Sequence, residues 1–275
     1  MKANHPIERG FERYLQILGI ATKPPGLRAL RELIEAQMAR VPFENISKLY
    51  YRKRIGLCGV VNFERFLEGM ERDNFGGTCY TTNYYFNLLL KFLGYDIRLC
   101  GADMSHPDVH LVSMARLDGC EFMVDIGYAA PFTMPLPRDL GEDFIIEHGE
   151  DRYILRPQDA VGRSRMDMYR DGQYRHGYVA KPEAREIGQF AGVIAQSFSE
   201  EATFMNAVLL TRHWPGGSIS IRNLSVVEVE GAGTRITPLS GREELIGAIE
   251  EHFGIAPAIS AEAIGEIRAF KDAWD

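Results

Sequence analysis

The chain is 275 residues long, 45% hydrophobic and carries a net charge of -7. That is enough to bury one large core or two to three small ones, and, with no long basic run, it argues against nucleic acid or an anionic membrane as the main partner. Residues 1 to 20 hold Lys2, Glu8, Arg9, Glu12 and Arg13, and the four cysteines at 58, 79, 100 and 120 form no Cys-x-x-Cys pair, so no signal peptide or membrane span and a reducing, cytoplasmic location are expected.

From Ile7 to about Gly94 the apolar spacing is mostly helical. Leu30, Leu33, Ile34 and Met38 share one face, and Phe63, Phe66, Leu67 and Met70 share another. Cys79 follows the pair Gly76-Gly77 and opens a run in which Tyr80, Tyr84, Leu88 and Phe92 recur at helical spacing until Gly94. Thr78 can cap that helix. A thiol in a first helical turn faces unpaired N–H groups and the positive end of the helix dipole, which favour the thiolate. The same N–H groups can bind a developing oxyanion. A lone cysteine at such a position is more often inert core, so the case rests on what else the chain supplies.

It supplies a histidine and a carboxylate. His110 to Leu117 and Cys120 to Gly127 read as two strands around an Asp118-Gly119 hairpin turn. A two-residue loop pairs Leu117 with Cys120, so Val112 faces Asp125 and His110 faces Gly127. His110 and Asp125 then project from one face as diagonal neighbours. Gly127 leaves room beside the imidazole. Cysteine, imidazole and carboxylate are the minimum set for nucleophilic acyl transfer.

The rest of the chain from Tyr95 to about Tyr178 is strand and turn text, including Tyr95 to Cys100, Phe144 to Glu147 and Tyr153 to Leu155, and a β-barrel accommodates it. Glu183 to Ser197 returns to helical spacing. Ser218 to Ile221 and Ser225 to Val229 alternate as strands before a last helix from Arg242 to His252. His106 and His110 have the spacing of helical metal ligands, but Pro107 and the strand that follows argue against a helix, so no metal is expected. His148, His176, His213 and His252 read as surface or structural, Tyr84-Tyr85-Phe86 as helix core, and Gly216-Gly217 as a turn.

These residues resemble those of the arylamine N-acetyltransferases, cysteine acyltransferases that take an acetyl group from acetyl-CoA. The likeness begins at Arg40-Val41-Pro42-Phe43-Glu44-Asn45 and continues through Gly76-Gly77-Thr78-Cys79 and Asn83. It then takes in His110-Leu111-Val112 and Val124-Asp125-Ile126-Gly127-Tyr128. Near the C-terminus it includes Phe204, Arg212, Gly216-Gly217, Glu243-Glu244-Leu245 and Phe253-Gly254-Ile255. The resemblance implies an α+β, three-domain fold with a helical bundle, a β-barrel and an α/β lid around a cysteine-protease-like core. The division that goes with it is a helical domain over 1–94 carrying the nucleophile, a barrel over 95–182 carrying His and Asp, and a linker helix and lid over 183–275. It also implies Cys79, His110 and Asp125 as the catalytic triad, Phe43, Tyr128 and Phe204 as the wall of the acceptor site, and Gly127 and Ala129 as the border of the donor channel.

Three positions depart from the family pattern. Phe75 stands where an arginine usually precedes the glycine pair, with Arg72 the only nearby cation in sequence. Thr81 stands where a glutamate follows the cysteine by two residues. Ala129 replaces a glycine in the loop after the aspartate. The function expected is ping-pong transfer of an acetyl group from acetyl-CoA to an arylamine, hydrazine or N-hydroxyarylamine. Closure of an amide or macrolactam on a carrier-bound acyl chain, cysteine-dependent hydrolysis of a peptide or ester, and an inactive binding protein are the rival readings, the last motivated by Phe75 and Thr81.

Overall fold

Helical spacing at the start of the chain becomes α1 (Pro6–Leu18), α2 (Leu27–Arg40), α3 (Ile46–Ile55), α4 (Phe63–Glu68) and α5 (Cys79–Phe92) in the computed structural model, which describes residues 6–265 and 267–271. Lys2, one of the charges read near the N-terminus, lies outside the described residues. Leu30, Leu33, Ile34 and Met38 are buried on α2, and they meet Phe66, Leu67, Tyr85, Phe86, Leu89 and Leu90 in one core. Each such side chain contributes about 1.5–3 kcal/mol on burial. Met70 joins the same core from a π-turn, Gly69–Asp73, that extends α4 and ends at Asn74 in the left-handed region. The wider turn redirects the chain into the segment before Cys79.

The strand text forms an antiparallel sheet in the order β5-β4-β3-β2-β9-β8-β7-β6. Its strands are β2 (Asp96–Asp103), β3 (His110–Leu117), β4 (Cys120–Val124), β5 (Leu136–Pro137), β6 (Phe144–His148), β7 (Asp151–Leu155), β8 (Ser164–Arg170) and β9 (Gln173–Ala184). The sheet curls around Val112, Met114, Met123, Leu155, Met166 and Tyr178. Asp118 and Gly119 both take positive φ, 51° and 86°, the twist that a two-residue hairpin loop requires. Leu117 accordingly pairs with Cys120, and the register runs on to Ser113 opposite Val124.

The last segment holds α6 (Ala191–Gln196), α7 (Thr203–Asn206), β10 (Leu209–Trp214), β11 (Gly217–Arg222), β12 (Ser225–Glu230), β13 (Gly233–Pro238), α8 (Arg242–Phe253) and α9 (Pro257–Ile264). Two findings differ from the sequence reading. Glu183 and Ala184 finish β9, and helical structure starts only at the 3-10 turn Ile187–Phe190. A two-residue strand, β1 (Phe43–Glu44), pairs with Leu210 and Thr211 of β10 and becomes the edge of a five-stranded sheet otherwise built from β10 to β13. Through it Ile46, Leu49 and Phe75 pack with Leu210, Ile221, Leu245 and Ile249, so the N-terminal helices and the last sheet share a core. No helix among the described residues is long and apolar enough to cross a membrane.

Candidate active site

Cys79 is the first residue of α5 and 8% exposed. The turn that delivers it tolerates no side chain at its glycines: a Cβ on Gly76 would sit 1.9 Å from the Pro42 carbonyl oxygen, and Gly77 has φ 116°. Thr78 occupies the N-cap position, but its side chain makes no capping bond. Its carbonyl instead accepts from Thr81 N at 2.9 Å and Thr82 N at 3.0 Å. The turn is held from β1. Gly76 N donates to Glu44 Oε1 at 3.1 Å, Ser47 N donates to Glu44 Oε2 at 2.8 Å, and Glu44 N donates to the Gly77 carbonyl at 3.1 Å. Complete burial pushes the Glu44 carboxyl up despite these bonds.

His110 opens β3 and Asp125 follows the last residue of β4, so the hairpin register carries Asp125 to the position opposite Val112. His110 Nε2 lies 2.8 Å from Asp125 Oδ2, and both residues are 2% exposed. Since Nε2 is taken, Nδ1 is the ring nitrogen left for Cys79, whose sulfur acts on the imidazole. Burial pulls the imidazolium down, but Asp125 and Cys79 outweigh it and hold His110 above its usual 6.5, at about 10. Burial likewise raises the Asp125 carboxyl, and His110, Asn83 and the Gly127 N–H more than offset it, so the group stays below its usual range.

Asn83, one helical turn after Cys79, locks the hairpin to α5. Its Nδ2 donates to Asp125 Oδ1 at 2.9 Å and to the Leu111 carbonyl at 2.5 Å, while its Oδ1 accepts from Ile126 N at 2.9 Å. Gly127 N donates to Asp125 Oδ1 at 3.0 Å. A Cβ at Gly127 would fall 2.8 Å from the Cys79 Cα and 2.7 Å from Asn83 Nδ2. The room this glycine leaves is therefore taken by α5, where the sequence reading gave it to the imidazole.

Of the residues expected at the substrate wall, Phe43 and Phe204 meet edge to face with ring centroids 5.7 Å apart. Asn45 holds that corner by donating to the carbonyls of Phe204 at 2.9 Å and Ala207 at 2.7 Å. Tyr128 is placed differently. It is buried, with its ring 5.5 Å from His110 and its hydroxyl 2.5 Å from His176 Nδ1, and it backs the imidazole. Tyr178 packs on His110 from 5.0 Å. Ala129 takes φ 60°, a left-handed conformation unusual for a residue with a Cβ. His148 and His213 line a cavity of about 60 Å³ between β7 and the last sheet, with Ala129 on its wall.

The resemblance took in Glu44 and Asn83 without giving them a role, and sequence reasoning missed Tyr178 and a cation as parts of the site. Arg72 is exposed, whereas Lys48 of α3 is buried close to the nucleophile. Its Nζ donates to Ser197 Oγ at 2.7 Å and lies 4.1 Å from the centroid of the Phe198 ring. Burial lowers the Lys48 ammonium to about 8 against the opposing pull of the Cys79 sulfur. The i, i+4 spacing of Cys79 and Asn83 puts Asn83 on the helix face of the nucleophile and could have given it a role.

Residues 26–261 match the family model described as N-acetyltransferase. The chain is 27% identical over 167 residues to proansamycin X synthase of Amycolatopsis mediterranei, a match that covers 55% of this chain and 64%, just under two thirds, of that protein. It is 24% identical over 237 residues to an arylamine N-acetyltransferase of Escherichia coli, covering 82% of this chain and 81% of the relative. The structure of Mycobacterium marinum arylamine N-acetyltransferase in complex with CoA superposes with a TM-score of 0.77 at 19% identity, over 94% of this chain and 100% of that one. The α+β architecture of helices and a nearly closed barrel is thus shared with that structure.

Proposed function

Since the chain belongs to the arylamine N-acetyltransferase family, we propose that it moves an acetyl group from acetyl-CoA to an arylamine, hydrazine or N-hydroxyarylamine by a ping-pong mechanism on Cys79. The observation that carries this reading is the 2.8 Å contact of His110 Nε2 with Asp125, which leaves the other ring nitrogen to the thiol at the start of α5. His110 takes the thiol proton, Asp125 fixes the tautomer and stabilises the imidazolium, and the thiolate attacks the thioester carbonyl. N–H groups of the first turn of α5 receive the oxyanion. CoA leaves with a proton from His110. The amine nitrogen then attacks the acyl-cysteine, its proton passes to His110, and the amide departs.

The edge-to-face pair Phe43 and Phe204 gives a flat arene an apolar wall. Gly127 and Ala129, in the loop that follows Asp125, border the path of the donor. The M. marinum relative, whose structure is a complex with CoA, supports a CoA thioester as co-substrate. All four cysteines are free, which supports a thiol mechanism in the cytoplasm. We assign the nucleophile to a helical domain over 1–94, the histidine and aspartate to a barrel over 95–182, and the linker helix and lid, which carry Phe204, to 183–275.

Intact mass after brief incubation with acetyl-CoA tests the reading: one acetyl adduct is expected on the parent chain and none on Cys79→Ser. The likeness to a protein named a synthase supports a second reading, amide closure on a carrier-bound acyl chain. Acylation by a carrier thioester but not by acetyl-CoA would favour it.

A further inference from the structure

His176 of β9 meets the triad through a neighbour. Alternation along the strand puts it on the same face as Tyr178, and the two side chains hold Tyr128 between them. Tyr178 meets the Tyr128 ring edge to face at 4.8 Å, and His176 Nδ1 lies 2.5 Å from the Tyr128 hydroxyl. Phe132 stacks on the same ring, with centroids 5.9 Å apart and planes 13° from parallel.

A buried tyrosine is placed by its polar end as well as by its ring. Tyr128 is 4% exposed, and a hydroxyl at that depth is destabilising unless an acceptor answers it. His176 suits that part. Burial draws its imidazolium down to about 4 against the pull of Asp151, with Arg170 and Arg222 adding to the fall, so the ring is neutral at neutral pH and one of its nitrogens accepts. Burial also holds the Tyr128 hydroxyl well above its usual 10, so it keeps the proton that it donates to Nδ1.

The bond secures the place of the Tyr128 ring, whose centroid is 5.5 Å from that of His110. His110 turns cationic when it takes the Cys79 proton, and an aromatic ring within about 6 Å of a cation in a dry site favours the charged form. Asp125 attracts the imidazolium through its charge. Tyr128 adds to that attraction through its ring.

We infer that His176 is a positioning residue: through the Tyr128 hydroxyl it holds an aromatic ring against the imidazolium of His110, and so favours the ion pair from which Cys79 attacks. The inference rests on the transferase reading above and adds to it a histidine that the sequence presented as surface or structural. His176 acts through Tyr128 and not on the reacting atoms, so its loss is read in the pH at which the pair ionises. Asp125 and Cys79 are the ionisable partners of His110 in that step, and His176 itself faces Tyr128, Asp151, Arg170 and Arg222.

The test is the pH profile of single-turnover acylation of Cys79 by acetyl-CoA, read by intact mass beside a melting curve for each variant. His176→Leu removes the acceptor, and the midpoint of the rising limb should move up by about half a unit to one unit, which is about a three- to tenfold loss on the acid side. At the alkaline end the rates should converge with the parent. His176→Asn keeps an acceptor near the position of Nδ1 and should recover most of the shift. Tyr128→Phe breaks the same bond from its other end and should move the midpoint in the same direction, and His176→Leu added to it should do nothing more. Should His176→Leu not fold, Tyr128→Phe must show the shift by itself. An unmoved midpoint, a lower melting temperature with the profile intact, no rescue by asparagine, or shifts that add in the double variant overturns the positioning role alone. A parent chain that acetyl-CoA acylates at no pH overturns the transferase reading instead.

Discussion

The two sides of Cys79 are built on opposite plans. Toward His110 the groups are dry and matched: Asp125 accepts from the imidazole, Asn83 and Gly127 N, and Asn83 ties helix to hairpin. Toward Lys48 the wall carries two cations, hydroxyls and space, and no carboxylate is among its described lining residues. The departures at Phe75 and Thr81 fall on the second side and leave the first untouched. Proton transfer needs positions held within a fraction of an ångström, so that side is clamped. The Lys48 side holds neither His110 nor Asp125, so divergence can collect there without disturbing the triad.

Replacing the sulfur removes what the two sides share. Cys79→Ser is expected to lose a factor of about 10⁴ or more in acetyl transfer, with an unchanged melting temperature, because a hydroxyl of similar size is too weak an acid for His110 to activate. Activity within a few fold of the parent would remove Cys79 from the mechanism. Asp125→Asn attacks the clamped side alone and should cost several powers of ten, of the order of 10⁴, through the wrong tautomer and a less basic imidazole. Melting curves and single-turnover acetylation on the same protein separate the causes: a large fall in melting temperature with near-normal acetylation per folded molecule would make Asp125 structural.

The same pair gives a pH signature. The His110 value is raised from 6.5 to about 10, so its contribution to stability is complete below about pH 6.5 and is lost as pH climbs toward about 10. The Asp125 value is lowered from 3.8, so its contribution is present above that pH and is lost as pH falls through its folded value. Melting temperature should therefore drop between pH 7 and 10 in the parent, and that drop should shrink in Asp125→Asn. A parallel pair of curves would contradict the assignment of the raised value to this contact.

Two asparagines of α5 sharpen the contrast further. Asn83→Ala strands the Ile126 N–H and the Leu111 carbonyl in the core and should cost about 2–4 kcal/mol, with acylation reduced as Asp125 loosens. Asn87, one turn on, donates to Ser113 Oγ at 2.9 Å away from the triad. Asn87→Ala should lower the melting temperature by about 2–6 °C and leave acylation per folded molecule unchanged. If both variants acylate normally, Asn83 is only a fold contact.

How far the sequence speaks follows from the range of each interaction. The hairpin that sets His110 beside Asp125 was legible because Asp118-Gly119 fixes the register, and a fixed register fixes which side chains share a face. Cys79 was legible because two glycines and a helical run meet there. The role of Asn83 was not, since its partners Leu111 and Asp125 lie 28 and 42 residues on. Lys48 was hidden further still, its partner Ser197 being 149 residues away. β1 is two residues long, too short for any period to show, and α9 was missed although Pro257 at its first position is a starting signal. Pro182 and Gly177 in β9 likewise disguise a strand, the former by removing a donor and the latter because a Cβ there would sit 2.3 Å from the Met166 carbonyl oxygen.

The smallest effect is expected at the loop that follows Asp125. Ala129 sits at φ 60°, where a Cβ costs roughly 1 kcal/mol that glycine avoids, while glycine also loses about 0.4–1 kcal/mol through its freer unfolded chain. The two nearly cancel. Ala129→Gly should therefore leave the melting temperature within about 2 °C of the parent, and any change will be in the donor step. Removing the methyl should speed acylation of Cys79 a few fold, or lower the Michaelis constant for acetyl-CoA, with no change in the order of amine acceptors. Pre-steady-state acylation with two donors of different chain length measures this directly. An identical rate with both would mean that the methyl points into the neighbouring cavity with His213 and Arg222 and that the donor passes on the other face of the loop.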